Sequence, residues 1–243
     1  MSRMTSNLAL LIVFVLIAVP AHADENDAQI AQRCPGVAAW KKAHPELSEK
    51  NQVKRVAVGK PTQPQLRRQL LDMFKADKEA RTAWIDAGMK TDDGSDPTAR
   101  KVMAVDARNL KKLKSVIERQ GFPGPAQVGV DGVDAAFILV QHADRDPIFQ
   151  MKVLPQLEVM RKQGLVSGQQ LALLTDRTLR AQGKPQRYGT QFVGNDKTSE
   201  MRLQPVEDMA SLDERRAGMG MPPLVDYACI LSVVTHKSVK PEP

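Results

Sequence analysis

Cysteine, histidine, aromatic side chains and long apolar runs are all scarce in this chain, and each shortage excludes something. Two cysteines without C-x-x-C spacing do not build a zinc ribbon or finger. The four histidines, His22, His44, His142 and His236, show no ligand spacing, so no metal is expected. The chain has no G-x-S-x-G elbow, no H-E-x-x-H and no glycine loop of the kind that cradles phosphate. Hydrolases, zinc proteases and nucleotide enzymes thus lose their usual signals, and no cofactor is expected. A hard-cation set of Asp144, Asp146 and Asp176 is chemically conceivable but carries no loop spacing. With aromatics at 4 %, the core must rest on Leu, Val, Ala and the 11 methionines.

The one long apolar run, Leu8 to Val19, spans 12 residues, too few to cross a bilayer comfortably. Arg3 precedes it, Pro20 ends it, and Ala21-His22-Ala23 supplies small residues for signal peptidase. These features predict a signal peptide over 1–23, a mature terminus near Asp24, a periplasmic or secreted protein and no stable membrane span after cleavage. In an oxidising compartment the even pair Cys34 and Cys229 favours a disulfide; two separate buried thiols are the alternative. The formal charge is +7, or +6 once Arg3 is removed. That balance suits an anionic envelope component, and export makes nucleic acid a poor partner.

The periodicity predicts a mainly α chain, a compact multi-helix domain with a small β-hairpin or extended element near 186–206. Residues 24–62 read as an arm or subdomain, with a short helix from Cys34-Pro35-Gly36 through Ala43 and a strand at Val53 to Val58. The main domain is expected over 63–231 and a flexible tail over 232–243. Leu66, Leu70, Met73, Phe74 and Trp84 mark one helix. Asp96-Pro97 caps the next, which runs to Gln120 and stops at Gly121. Its face of Lys101, Arg108, Lys111, Lys112 and Arg119 is either simply solvated or a dock for an anionic surface. Glycines and prolines at 121–132 read as a loop. Val133 to Ala143 is apolar nearly all round, so it reads as a central buried helix. Asp146-Pro147 starts another, with Pro155 expected to kink or split it near Leu154. Ser167 and Gln170 have capping-box spacing at the start of the next.

Within the buried run lies "LVQHADRDPIFQ", residues 139–150. Helical spacing puts His142 on the row of Ile138 and Leu139, and Gln150 on the row of Val153, Leu154 and Leu157. Gln141 sits beneath Phe137. Unpaired, each such inward group costs about 1–3 kcal/mol, so partners are required. Arg177 likewise follows Leu173 and Leu174 toward the core, while Asp176 can pair with Arg180 one turn on. If extended, Gln186, Tyr188 and Thr190 share a face beside Gly189 and Gln191. One reading makes these residues a structural network; the other makes them the lining of a pocket for a small polar ligand.

"LVQHADRDPIFQ", "LTDRTLRAQGKPQRYGTQF" and "RRAGMGMPPLVDY" resemble, in order and spacing, an uncharacterised bacterial family defined only as a domain of unknown function. The similarity runs from Gln65 to Tyr227. It departs at Phe137, where many members carry Trp, and at Met221, where Leu is common. The resemblance implies that Gln141, His142, Asp144, Gln150, Asp176, Arg177, Gln186, Tyr188, Gly189, Thr190 and Gln191 occupy motif positions. It implies no reaction.

Three functional readings follow. The first is an exported binding or interaction protein with a polar pocket around His142, its ligand contacted by Gln141, Gln150, Arg177, Gln186, Tyr188, Thr190 and Gln191. The second is a hydrolase or transferase with His142 as general base, oriented by Asp144 or Asp176. The third is a structural envelope protein whose polar set only holds the fold. If the site is shared, His142 and Gln150 converge with Arg177 and the 186–191 segment.

Overall fold

A computed structural model describes residues 20–47, 59–89, 96–195 and 199–242. The apolar run and the expected strand at 53–58 lie outside them. Nine α-helices are present among the described residues: α1 (Pro20–Arg33), α2 (Pro35–Ala43), α3 (Pro64–Asp86), α4 (Pro97–Gln120), α5 (Pro125–Gln141), α6 (Pro147–Lys162), α7 (Gly168–Ala181), α8 (Leu212–Gly218) and α9 (Leu224–Thr235). Three short strands, β1 (Phe192–Asn195), β2 (Glu200–Leu203) and β3 (Ser238–Lys240), form one sheet.

The caps behave as their chemistry requires. Asp96 accepts from the backbone N–H of Thr98 and Ala99, and Asp146 accepts from Phe149. Ser167 and Gln170 make a reciprocal capping box. Pro155 lies inside α6, which runs through it without splitting. Only one intrahelical bond is forfeited there, and Pro155 is exposed, so the carbonyl one turn back can turn to water. The stretch at 121–132 is not all loop, because α5 begins at Pro125 and bends at Gly129, whose φ of 74° needs a residue without a side chain.

α5 is the centre of the domain. Val133 and Ala135 through Gln141 are buried, and α3, α4, α6 and α7 pack around them. Leu70, Met73, Leu113, Ile117, Phe149, Val153, Leu157, Leu173 and Leu174 complete this core. A second cluster of Ala80, Trp84, Met89, Ala99, Val102 and Val105 ties the end of α3 to the start of α4.

β1 and β2 pair antiparallel with Phe192 opposite Leu203, as a hairpin requires. β3 adds parallel to β2, Met201 opposite Val239. Residues 232–240, read from sequence as part of a tail, therefore hold the last turn of α9 and a strand. Phe192, Met201, Leu203, Leu212, Leu224, Tyr227 and Leu231 fill the space beneath the sheet. α1, which the sequence did not signal, lies against α9, and Cys34 is joined to Cys229 with their Cα atoms 5.9 Å apart. Ile30, Val37 and Val233 close around that bridge. No described helix is long and apolar enough to cross a membrane.

Candidate functional site

α5 ends at Gln141, and His142 is its C-cap residue, 8 % exposed. The ring faces two elements that arrive from far away in sequence. Nδ1 lies 2.9 Å and 3.0 Å from the two carboxylate oxygens of Asp77 on α3, and 3.0 Å from Nε of Arg81. One nitrogen cannot both donate to Asp77 and accept from Arg81. We assign Nδ1–H to Asp77, because Arg81 Nε has its own acceptor in Asp77 Oδ1 at 3.2 Å. The other guanidinium face binds Asp106 of α4 through Nη2, at 2.9 Å and 2.8 Å. Nε2 takes no partner among the described residues. It is also not one of the fully enclosed unpaired polar atoms, so the ring's small exposure includes it.

The electrostatics follow from crowding. Burial would raise the Asp77 carboxyl, but the charges and hydrogen bonds of His142 and Arg81 outweigh it and hold it below the ordinary value. Asp106 goes the other way: burial pushes it up to about 6, against the pull of Arg81 and with the repulsion of Asp77 and Asp144. Arg81 is penalised by burial, yet the three carboxylates Asp77, Asp106 and Asp144 keep its pKa raised.

Asp144, Gln150 and Arg177 gather in a second, adjoining group. Arg177 of α7 pairs with Asp144, whose Oδ1 also meets the amide of Gln150 at 3.4 Å. Gln150 Nε2 donates to the carbonyls of Val140 and Gln141 as well, so it closes the end of α5. Asp144 thus stands between the two groups, bonded to Arg177 and acting by charge on Arg81. The Gln141 amide is enclosed, with neither end paired among the described residues.

Asp176 has a different role from the surface pair with Arg180 that spacing suggested. It is fully buried and accepts from the backbone N–H of Arg187, Tyr188 and Thr190 and from the Thr190 hydroxyl. Burial pushes this carboxyl up, and those donors pull it back. Arg180 instead reaches the Lys184 carbonyl and Gln204. The segment 187–190 is accordingly a bend folded round a carboxylate, not an extended strand. Gly189, at φ 63°, fits beneath Leu212 and Leu224, where a Cβ would be crowded at 3.2 Å and 3.3 Å. Gln186 locks the bend to the sheet, donating to the carbonyls of Gln191 and Gln204 and accepting from Gln191 N–H. Gln191 donates to Leu173 O and Thr190 Oγ1, and Arg216 donates to the Tyr188 carbonyl. Tyr188 is half-buried, with the Arg187 guanidinium 5.9 Å from its ring.

The expected single cluster is therefore three. His142 meets Asp77 and Arg81; Gln150 and Arg177 both meet Asp144; and Asp176 holds the 186–191 segment. Asp144, Asp146 and Asp176 each face separate partners, Lys114 taking Asp146 at 2.5 Å, which removes them as a shared cation cage. No three His, Cys, Asp or Glu side chains among the described residues are grouped to hold a metal ion.

Asp77, Arg81 and Asp106 were missed by sequence reasoning, although a signal existed. Asp77 falls four residues after Met73 and three before Ala80, on the buried stripe of α3. Asp106 follows Val102 by one turn on α4.

The basic residues Lys101, Arg108, Lys111, Lys112 and Arg119 of α4 are all exposed. Arg108 and Lys112 join Arg68 and Asp72 of α3 along a groove of about 680 Å3. This groove does not reach His142.

No curated protein and no solved structure matches the chain. A family model does match, over residues 64–240, which takes in α3 to β3 and every motif residue described above. The chain belongs to that family, DUF6624, a family of unknown function.

Proposed function

We propose that the chain is an exported binding protein that recognises a small polar ligand at the His142 cluster. One observation carries this reading: Asp77 holds Nδ1 while Nε2 has no partner among the described residues. A ring with its proton fixed on Nδ1 presents a lone pair at Nε2, which accepts a hydrogen bond. Asp77 and Arg81 hold the ring, Arg81 continues to Asp106, and the Asp144–Arg177 pair forms the adjoining group. An open acceptor at Nε2 suits a ligand that brings a donor, such as a hydroxyl or an ammonium group. Asp144, with its side chain 31 % exposed, is more open to solvent than Asp106 or Asp77.

Export rests on the leader-like N-terminus and agrees with the Cys34–Cys229 bridge. The exposed cations of α4 support a second contact, with an anionic envelope component, on a face separate from His142.

A catalytic reading is favoured by the same Asp77–His142 pairing. An imidazole oriented through Nδ1 by a carboxylate is the arrangement in which Nε2 acts as a general base. In that case Asp77, not Asp144 or Asp176, is the orienting group.

A thermal-shift panel of sugars, amino sugars and polyamines, run on the wild type and His142→Asn, tests the binding reading. A compound that stabilises the wild type and not the variant supports it. Equal shifts in both proteins, or none in either, contradict it. Turnover of ester or glycoside probes, lost in His142→Asn and reduced in Asp77→Asn, would instead select the catalytic reading.

A further inference from the structure

α4 carries seven basic residues against two acidic ones, Asp106 and Glu118, so most of the chain's formal charge of +7 sits on this helix. Asp106 is already bound to Arg81. Four of the cations, Lys101, Arg108, Lys112 and Arg119, follow one another at separations of seven, four and seven residues. With about 3.6 residues per turn, these spacings keep all four within about 40° around the helix. At about 1.5 Å per residue, the row is about 27 Å long. All four are exposed, and none makes an ion pair among the described residues.

The middle of the row lines the groove of about 680 Å3 between α3 and α4. Arg108 and Lys112 belong to its α4 wall, Arg68 and Asp72 to its α3 wall. Met73 and Asn109 also line it and are buried, so they form its floor. The Asn109 amide donates to the Met73 carbonyl at 3.2 Å, which fixes the two walls against each other. Three cations and one carboxylate therefore line a single preformed groove.

The simplest competing account is a solvated surface on which Arg68 and Asp72, one turn apart, offset each other. Arg108 and Lys112 are then left over, like charges one turn apart, an arrangement that costs a helix stability. A docked bilayer is a second account. Membrane-docking faces insert apolar side chains. The exposed large apolar residues among those described, Ile148, Val159, Met209 and Val225, all lie outside α3 and α4. A groove, moreover, admits a chain and not a flat surface.

We infer that this groove and the cation row along it bind a linear polyanion, a chain whose repeated phosphate or sulfate groups meet Lys101, Arg108, Lys112 and Arg119 in turn, with Arg68 on the opposite wall. Charged donors spaced along a helix match anionic oxygens spaced along a chain, and weak contacts on one chain reinforce each other. The assignment rests on the contact proposed for α4 with an anionic envelope component, and it narrows that partner to a chain.

Fluorescently labelled long-chain polyphosphate and labelled heparin are titrated with the protein. Orthophosphate is added as a competitor, and vesicles of phosphatidylcholine with or without phosphatidylglycerol are tested by co-sedimentation. The wild type is expected to bind at least one of the two chains, which identifies phosphate or sulfate as the group recognised. Arg108→Gln combined with Lys112→Gln should weaken that binding about tenfold or more, and Arg68→Gln about threefold. Lys41→Gln combined with Lys42→Gln removes the same charge from exposed positions of α2 and should change it less than about twofold. Equal weakening by the two pairs overturns the site in favour of bulk charge. Displacement by orthophosphate at equal phosphate concentration overturns it in favour of a single-anion site. Binding to phosphatidylglycerol vesicles alone, lost in the Arg108 and Lys112 variant, keeps the α4 contact and overturns the chain. Failure of every probe removes both.

Discussion

Nδ1 of His142 lies 2.9 Å from Oδ2 of Asp77, a residue 65 positions earlier on a different helix. The contact joins the end of α5 to the middle of α3, and it sets the orientation of the imidazole. Arg81 stands on the same carboxylate and carries the connection on to Asp106 of α4.

Removing Asp77 should therefore be costly. The carboxylate is 2 % exposed, and Asp77→Ala leaves Arg81 and His142 without their shared acceptor. A loss of about 3–5 kcal/mol in chemical denaturation is expected. A loss under about 1 kcal/mol would mean that the pair contributes nothing to the fold.

The cluster should also shape stability against pH, in two windows of opposite sign. Asp106 is pushed up to about 6, above its unfolded value, so the native state holds its proton more tightly. Its contribution is full at low pH and is lost as pH rises toward 6. Asp77 is lowered, so its contribution is present at neutral pH and is lost as pH falls below the ordinary carboxylate value. Relative to Asp106→Asn, the wild type should gain stability between pH 7 and pH 4. Parallel curves for the two proteins would contradict the assignment to Asp106.

Asp176 anchors the 187–190 bend through three backbone donors and a hydroxyl. In Asp176→Ala those donors are left without their acceptor, each at about 1–3 kcal/mol if not rehydrated. Hydrogen exchange should then accelerate at the amides of Arg187, Tyr188 and Thr190 before it does in α5. Uniform acceleration across the domain would show that Asp176 holds the whole fold and not this segment.

Much of this architecture was legible in the sequence, and the exceptions have physical causes. The inward placement of His142, Gln150 and Arg177 follows from helical spacing, and all three are buried. The hairpin at 192–203 follows from alternation. Asp77 and Asp106 escaped because an acid within an amphipathic helix reads as solvated until the facing helix is known. Gly189 and the donors of 187–190 were visible as residue types, but the carboxylate they wrap belongs to a helix that reads as ordinary. β3 escaped because three residues after a helix carry almost no strand signal; only the open edge of β2 makes them a strand.

The Cys34–Cys229 bridge closes 195 residues. In the chain-entropy limit a loop of that length is worth about 5 kcal/mol. Reduction should lower the melting temperature and release α1 and α2 from α9, seen as new protease sensitivity before Pro64. An unchanged melting temperature would show that Ile30, Val37 and Val233 hold those helices without the bridge.

The most direct test of the account is the protonation pattern of the His142 ring, read by 15N NMR on the neutral imidazole. The predicted result is a proton on Nδ1 and a bare Nε2, with the two tautomers mixed in Asp77→Asn. A proton fixed on Nε2 in the wild type would contradict it. Nδ1 would then accept from Arg81 instead of donating to Asp77, and no open acceptor would remain for a ligand or a proton.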